Sequence, residues 1–281
     1  MRANRYLAHG TRTAVPEGSD IAMRLGDPTS VEQNTMKRRL LTSLTTVLGI
    51  LALAGIAFAA VKVKITKSRF RYDTGTYFRG LAENVVLGSY GEKKTPVNRP
   101  NYVAVQGDLP PAKLAKFIKI SGPYDIDWSR HSKGNVSGNI KFLKKGGGTG
   151  KFSRDAAKRA KLKLIKLHLD EGSLLTVLNK RAPKVRSYLK REGRDARIVS
   201  TVWIAMEADL ASDIEQCGEV KANAKVKGIP IEIDTKRCTK SKSSVTIPPN
   251  TTFAYGLHKV KRWTKRKKAI RDLEDDYPGL N

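Results

Sequence analysis

Cysteine, histidine and acidic side chains are all scarce in this chain. Its two cysteines (Cys217, Cys238) and four histidines (His9, His131, His168, His258) are too few and too scattered to spell a metal-ligand spacing. No nucleophile elbow and no paired acidic motif is present, and Asp125 with Asp127 beside Trp128 reads as a turn rather than as acid–base machinery. An enzyme is therefore the least supported class, and no cofactor is expected. Acidic residues number 26 against 54 Lys and Arg, a formal charge of +28. That imbalance favours an anionic partner: phospholipid headgroups, nucleic acid or an acidic polysaccharide. It does not choose among them.

Charge is missing altogether from one place. Residues 40–61 contain no charged residue, proline or histidine, and only Thr42, Ser43, Thr45 and Thr46 interrupt their apolar run. A helix of about 20 such residues spans a ~30 Å hydrocarbon core, because its backbone polar groups are satisfied internally. Basic residues flank the run as Lys37-Arg38-Arg39 and Lys62-Val63-Lys64, so 36–61 reads as a signal peptide or a single transmembrane helix. The basic start and Ala57-Phe58-Ala59 suit a cleaved signal, whereas the 35 residues ahead of Met36 suit an anchor. Positive charge on both sides leaves the orientation open. The expected location is a membrane, in single-pass form, or outside the cell by export. Residues 1–35 show no apolar period and read as a disordered tail, 62–260 as a basic domain and 261–281 as a charged tail. Together, 62–281 hold 47 basic and 22 acidic residues, a formal +25.

After residue 69 the chain alternates short strand and helix signals. Residues 81–88 read as a short helix followed by a strand, 91–101 as a loop, Tyr102 to Gln106 as a strand, and 108–118 as a short helix with proline in its first turn. A strand is expected over 135–143. The run Lys144-Lys145-Gly146-Gly147-Gly148-Thr149-Gly150-Lys151 is not a phosphate loop, because Lys145 stands where the first glycine should be and Phe152 follows the lysine. It reads as a glycine loop between elements. Residues 161–169 alternate basic and apolar with a slip at Leu164-Ile165, the pattern of a half-buried strand with a bulge. Helices follow on either side of Ala182-Pro183, and then a β-rich run over 198–206. The whole of 69–260 is expected to be α+β, with a twisted, mainly antiparallel sheet.

Segments 219–227 and 229–235 form a further alternating pair around Lys227-Gly228. With those two residues as the loop, residues whose numbers sum to 455 lie opposite one another. Cys217 and Cys238 obey that sum at a non-hydrogen-bonded position. The Cβ separation there, roughly 4.5 Å, suits a disulfide, which an exported domain could form. Two unrelated thiols with a slipped register are the alternative.

The stretch Val245-Thr246-Ile247-Pro248-Pro249-Asn250-Thr251-Thr252-Phe253-Ala254-Tyr255-Gly256 resembles a late strand of the gasdermin pore-forming domain, as do the order and spacing of the elements over about 160–256. The resemblance implies binding to acidic lipid membranes, assembly into a homo-oligomeric β-barrel pore, and inhibition by a short C-terminal peptide, for which 261–281 has a suitable length. The chain departs from the family in its leader and in lacking an N-terminal cysteine for lipidation. A barrel strand needs about 9–11 residues alternating lipid-facing with lumen-facing side chains. Leu162, Leu164, Leu167 and Leu169 would supply one lipid face, and Val220, Ala222, Ala224 and Val226 a second, thinner one. A half-exposed soluble sheet writes the same pattern. The other functional expectation is a static module, anchored or secreted, that holds nucleic acid or another anionic polymer. Lys259, Lys261, Arg262, Lys265, Arg266, Lys267 and Lys268, with Trp263 interleaved, would provide its contacts. A solvated basic helix would explain the same cluster.

Overall fold

The computed structural model describes residues 61–131, 139–217, 221–223, 232–234 and 244–278. The strands are β1 (Val63–Ile65), β2 (Arg69–Tyr72), β3 (Gly75–Phe78), β4 (Ser89–Lys94), β5 (Tyr102–Asp108), β6 (Lys119–Asp125), β7 (Lys141–Leu143), β8 (Thr149–Lys151), β9 (Lys163–His168), β10 (Ala196–Met206), β11 (Lys221–Asn223), β12 (Glu232–Asp234), β13 (Ser244–Thr246), β14 (Thr252–Trp263) and β15 (Ile270–Asp276). Among the described residues the α-helices are α1 (Pro111–Leu114), α2 (Trp128–His131), α3 (Arg154–Arg159), α4 (Glu171–Lys180), α5 (Pro183–Glu192) and α6 (Ala208–Cys217). The architecture is α+β: a mixed, mostly antiparallel sheet of 12 strands, and a separate antiparallel ribbon of β11, β12 and β13. Apart from Val61, the stretches 1–35 and 36–61 lie outside the described residues. Among those described, no helix is long and apolar enough to cross a membrane.

The sheet is built on β10. Its sequence, Ala-Arg-Ile-Val-Ser-Thr-Val-Trp-Ile-Ala-Met, is rich in β-branched and apolar residues, and all but Thr201 are buried. It pairs with β14 along one edge. Along the other it meets β4 near its start and β9 near its end, all antiparallel. Two apolar clusters flank this framework. The larger holds Ile165, Leu167, Val202, Ile204 and Tyr255, with the inner faces of α4, α5 and α6. The smaller gathers Phe70, Trp128, Phe152, Trp203 and Phe253. Tyr255 ties strands together inside the core: its hydroxyl donates to Gly80 O at 2.8 Å and accepts from Val103 N at 3.1 Å, and burial pushes its pKa well up.

Several expectations need correction. The leucines of 161–169 are not half of an amphipathic face; Leu162, Leu164, Leu167 and Leu169 are all at most 2% exposed. Alternate side chains of β9 enter different clusters, Leu162 and Leu164 the smaller, Ile165, Leu167 and Leu169 the larger. The break at Leu164-Ile165 is thus a change of face, and the bulge lies in the partner β6, between Ser121 and Tyr124. Residues 89–94, placed mostly in a loop, form β4, and the helix at Ala82–Asn84 is a single 3-10 turn. Of 135–143, only Lys141–Leu143 is seen as strand, 132–138 being outside the described residues. The glycine loop does join two elements, β7 and β8.

The expected hairpin register is present: Lys221, Ala222 and Asn223 face Asp234, Ile233 and Glu232, each pair summing to 455. It does not extend to Cys217, which ends helix α6 instead of lying in a strand. Cys238, Val220, Ala224 and Val226 lie outside the described residues. The last correction concerns 261–281, expected as a tail. Its residues up to Asp276 finish β14 and form β15, an antiparallel partner of β14 with Ile270 and Leu273 buried.

Candidate anionic-surface site

The β14–β15 hairpin carries the whole basic cluster singled out in the sequence, on β14 and on the tip around a single 3-10 turn (Lys265–Lys267) rather than on an α-helix. Along its strands the charges are matched. Lys259 Nζ lies 3.0 Å from Glu274, Arg262 binds Asp272 at 2.8 Å, and Lys261 reaches the same carboxylate at 3.9 Å. These follow from register: Lys259 sits opposite Glu274 and Arg262 opposite Asp272, so cross-strand neighbours have opposite sign. The Arg262 guanidinium holds Asp272 below the usual carboxylate range. At the base, Asp276 accepts from both Lys93 at 2.9 Å and Arg197 at 2.8 Å, with both of these cations mostly buried. Trp263 packs against the larger apolar cluster, which occupies a ring the sequence left free to stack on a ligand.

The tip differs. Lys265, Arg266, Lys267 and Lys268 are exposed, and none makes an ion pair among the described residues. Thr264 and Ala269 close the loop beneath them. Thr264 N donates to Ala269 O at 2.9 Å, Ala269 N donates back to Thr264 Oγ1 at 3.0 Å, and Lys267 N donates to Thr264 O at 2.9 Å. Arg266 and Lys267 sit in the left-handed region at φ 63° and 51°, where glycine or asparagine is the comfortable choice. Two cations are therefore kept at positions where backbone preference alone would select against them.

A second basic group joins the tip from α4 and α5. The Asn179 side chain donates to Ile270 O at 2.8 Å and accepts from Ile270 N at 2.9 Å, and Glu171 accepts from Leu273 N at 3.0 Å. These bonds clamp β15 along α4. The exposed Lys180, Arg181 and Lys184, at the α4–α5 corner, thereby share one corner of the domain with the hairpin tip. Sequence reasoning missed these three. Lys180 and Arg181, at the end of α4, read as partners of the helix dipole, and Lys184, just after Pro183 in α5, reads as an ordinary exposed lysine; only the Asn179 contact reveals their neighbours.

Ser200, His258 and Asp275 form the other cluster of reactive residue types. His258 Nδ1 is 2.6 Å from Ser200 Oγ, and its Nε2 is 3.4 Å from Asp275 Oδ1. Ser200 lies in the bulge of β10 at 2% exposure, so its hydroxyl is packed inside the protein rather than presented to a substrate. Burial lowers the His258 pKa despite Asp275, which keeps the ring neutral near pH 7. Asp127 is likewise structural, its Oδ1 accepting from Ser129 N and Arg130 N at the start of α2. Among the described residues, no group of His, Cys, Asp and Glu could hold a metal ion. The fold and the corner together define a basic α+β domain with a concentrated, unneutralised cationic surface. Comparison of the chain with protein-family models, with curated proteins and with solved structures gives no match in any of the three.

Proposed function

We propose that this chain is a membrane-targeted protein whose basic domain docks on acidic lipid through the corner formed by the β14–β15 tip and the end of α4. The observation that carries this reading is the set of seven exposed cations there, Lys180, Arg181, Lys184 and Lys265 to Lys268, without ion pairs among the described residues. A basic residue at an anionic bilayer contributes about 1 kcal/mol, an attraction screened within a Debye length. The apolar run at 40–61 favours lipid over a soluble polymer, since such a segment would bring the domain to a bilayer. The pore that the gasdermin resemblance implied draws no support from the fold. Its lipid-facing leucines are core residues, and removing 261–281 would strip a paired strand from the sheet rather than release a peptide.

Sedimentation with vesicles of acidic or zwitterionic lipid tests the proposal. The full chain should bind acidic vesicles, weaken steeply with salt, and leave an encapsulated dye inside. Replacing Lys265, Arg266, Lys267 and Lys268 together by Gln should weaken binding by about 4 kcal/mol, roughly a thousandfold. Equal binding to zwitterionic vesicles, or no loss in the Gln variant, would refute docking at this corner. Dye release would restore the pore.

A further inference from the structure

A second surface, on the other side of β9, has a different character. Tyr72, Tyr124 and Trp128, with Asp125, Lys158 and Lys161, line an open groove of about 780 Å³ between the sheet and the α2–α3 pair. That volume suits one small ligand or one unit of a polymer. The rings of Tyr72 and Tyr124 are half-buried and 4.9 Å apart, and each rests on buried Trp203, at 5.3 and 5.2 Å. Trp203 therefore fixes two tyrosines at the edge of the groove, and Lys166 stands over the same indole at 5.9 Å. The groove floor is apolar, with Ile126 and Leu162 buried beneath it.

The opposite rim is basic. Lys158 and Lys161 are exposed and make no ion pair among the described residues. Lys161 also stands in an unusual place. It follows α3 at φ 47°, with Lys161 N donating to Lys158 O at 3.3 Å and Leu162 N donating to Ala157 O at 3.0 Å. This is the Schellman arrangement, in which glycine is the favoured left-handed residue. Neither groove carboxylate stands free: Asp125 pairs with Lys163 at 3.2 Å, and Asp127 is held by the α2 turn. Planar rings on one wall and unpaired cations on the other complement a ligand that alternates aromatic rings with negative charge.

From this juxtaposition we infer that the groove binds single-stranded nucleic acid, a base stacking on Tyr72 and Tyr124 while Lys158 and Lys161 hold the adjoining phosphate. Stacking of a base on an aromatic side chain contributes about 1–3 kcal/mol and tolerates any base. The site goes beyond lipid docking and does not depend on it, since it shares no residue with the β14–β15 corner.

Fluorescence anisotropy of a short labelled oligothymidylate with the full chain tests this inference. Tyr72→Ala and Tyr124→Ala should each weaken binding by roughly 5- to 150-fold, as loss of a stack predicts. Lys161→Gly is the more discriminating variant, because it removes the charge while easing the backbone. It should leave the thermal midpoint unchanged or higher, yet weaken binding and reduce the slope of log affinity against log salt by about 0.7. Acidic-vesicle binding should be unaltered in Tyr72→Ala. Wild-type oligonucleotide affinity in Lys161→Gly and in either tyrosine variant would overturn the inference. So would equal affinity for a sulfated oligosaccharide of matched charge, which has no ring to stack.

Discussion

The two ends of the β14–β15 hairpin have similar sequences and different roles. Along the strands, Lys259, Lys261 and Arg262 face Glu274 and Asp272, and at the base Asp276 bridges Lys93 and Arg197. At the tip, four consecutive cations face solvent with no counter-charge among the described residues. The first group holds strands in register. The second raises the local potential without stabilising the fold, and two of its members sit in a backbone conformation that disfavours them. A run of basic residues in a sequence is thus two different things once strand register decides which of them meet carboxylates.

Breaking the structural end should produce the largest effect on stability. Asp276→Asn would leave Lys93 and Arg197, both mostly buried, without their shared carboxylate. A loss of about 2–4 kcal/mol is expected in denaturant titration, somewhat under the full figure for a buried pair because Asp276 is not fully enclosed. Vesicle binding by the folded fraction should not change.

The tip should respond in the opposite sense. Replacing Arg266 and Lys267 together by Gly removes two charges and suits both left-handed positions. Stability should stay level or rise by up to about 1 kcal/mol, while affinity for acidic vesicles falls by about 2 kcal/mol, some 30-fold. Calorimetry and sedimentation on the same preparation would record both signs.

Helix α4 repeats the contrast on a smaller scale: its N-terminal carboxylate is structural, whereas Lys180 and Arg181 at its C-terminal end make no ion pair among the described residues. Asp170 accepts from Ser173 N at 2.8 Å and pairs with Lys119 at 3.0 Å. The backbone hydrogen bond, followed by that to Lys119, lowers its pKa to about 2. Because the folded value is depressed, the stabilisation is present above the unfolded value of about 3.9 and is lost as pH falls from there toward 2. Asp170→Ala should therefore cost about 1 kcal/mol at neutral pH, as a lost helix cap does, with the deficit shrinking over that window. The Asp170 side chain is 39% exposed, so solvent screening limits the ion-pair share of that figure.

Much of the fold was legible in the sequence, for reasons that also mark the failures. The break of the α4–α5 pair at Ala182-Pro183 and the register of β11 with β12 follow from local rules, proline geometry and loop length, that act over a few residues. The face change in β9 was not legible. A strand with Leu164 and Ile165 in succession looks like a bulge unless apolar clusters are known to cover both sides of the sheet. Nor was β15, where Arg271, Asp272, Glu274, Asp275 and Asp276 surround the two buried anchors Ile270 and Leu273. Charge so dense reads as a tail until β14 supplies its partners. The corner needed tertiary structure too: Lys180 and Lys268 lie far apart in the chain, and Asn179 joins their neighbourhoods through two hydrogen bonds to Ile270.

The most direct test compares two triple variants with the same change in net charge. One replaces Lys259, Lys261 and Arg262 by Gln along the strands, and the other replaces Lys265, Arg266 and Lys267 at the tip. Each is titrated with acidic vesicles at one ionic strength. Placement of unpaired charge predicts a loss of about 3 kcal/mol for the tip variant, roughly a hundredfold or more, and little loss for the strand variant, whose cations are already matched by carboxylates. Equal losses in the two would show that binding follows total charge alone, and would contradict the assignment of the site to this corner.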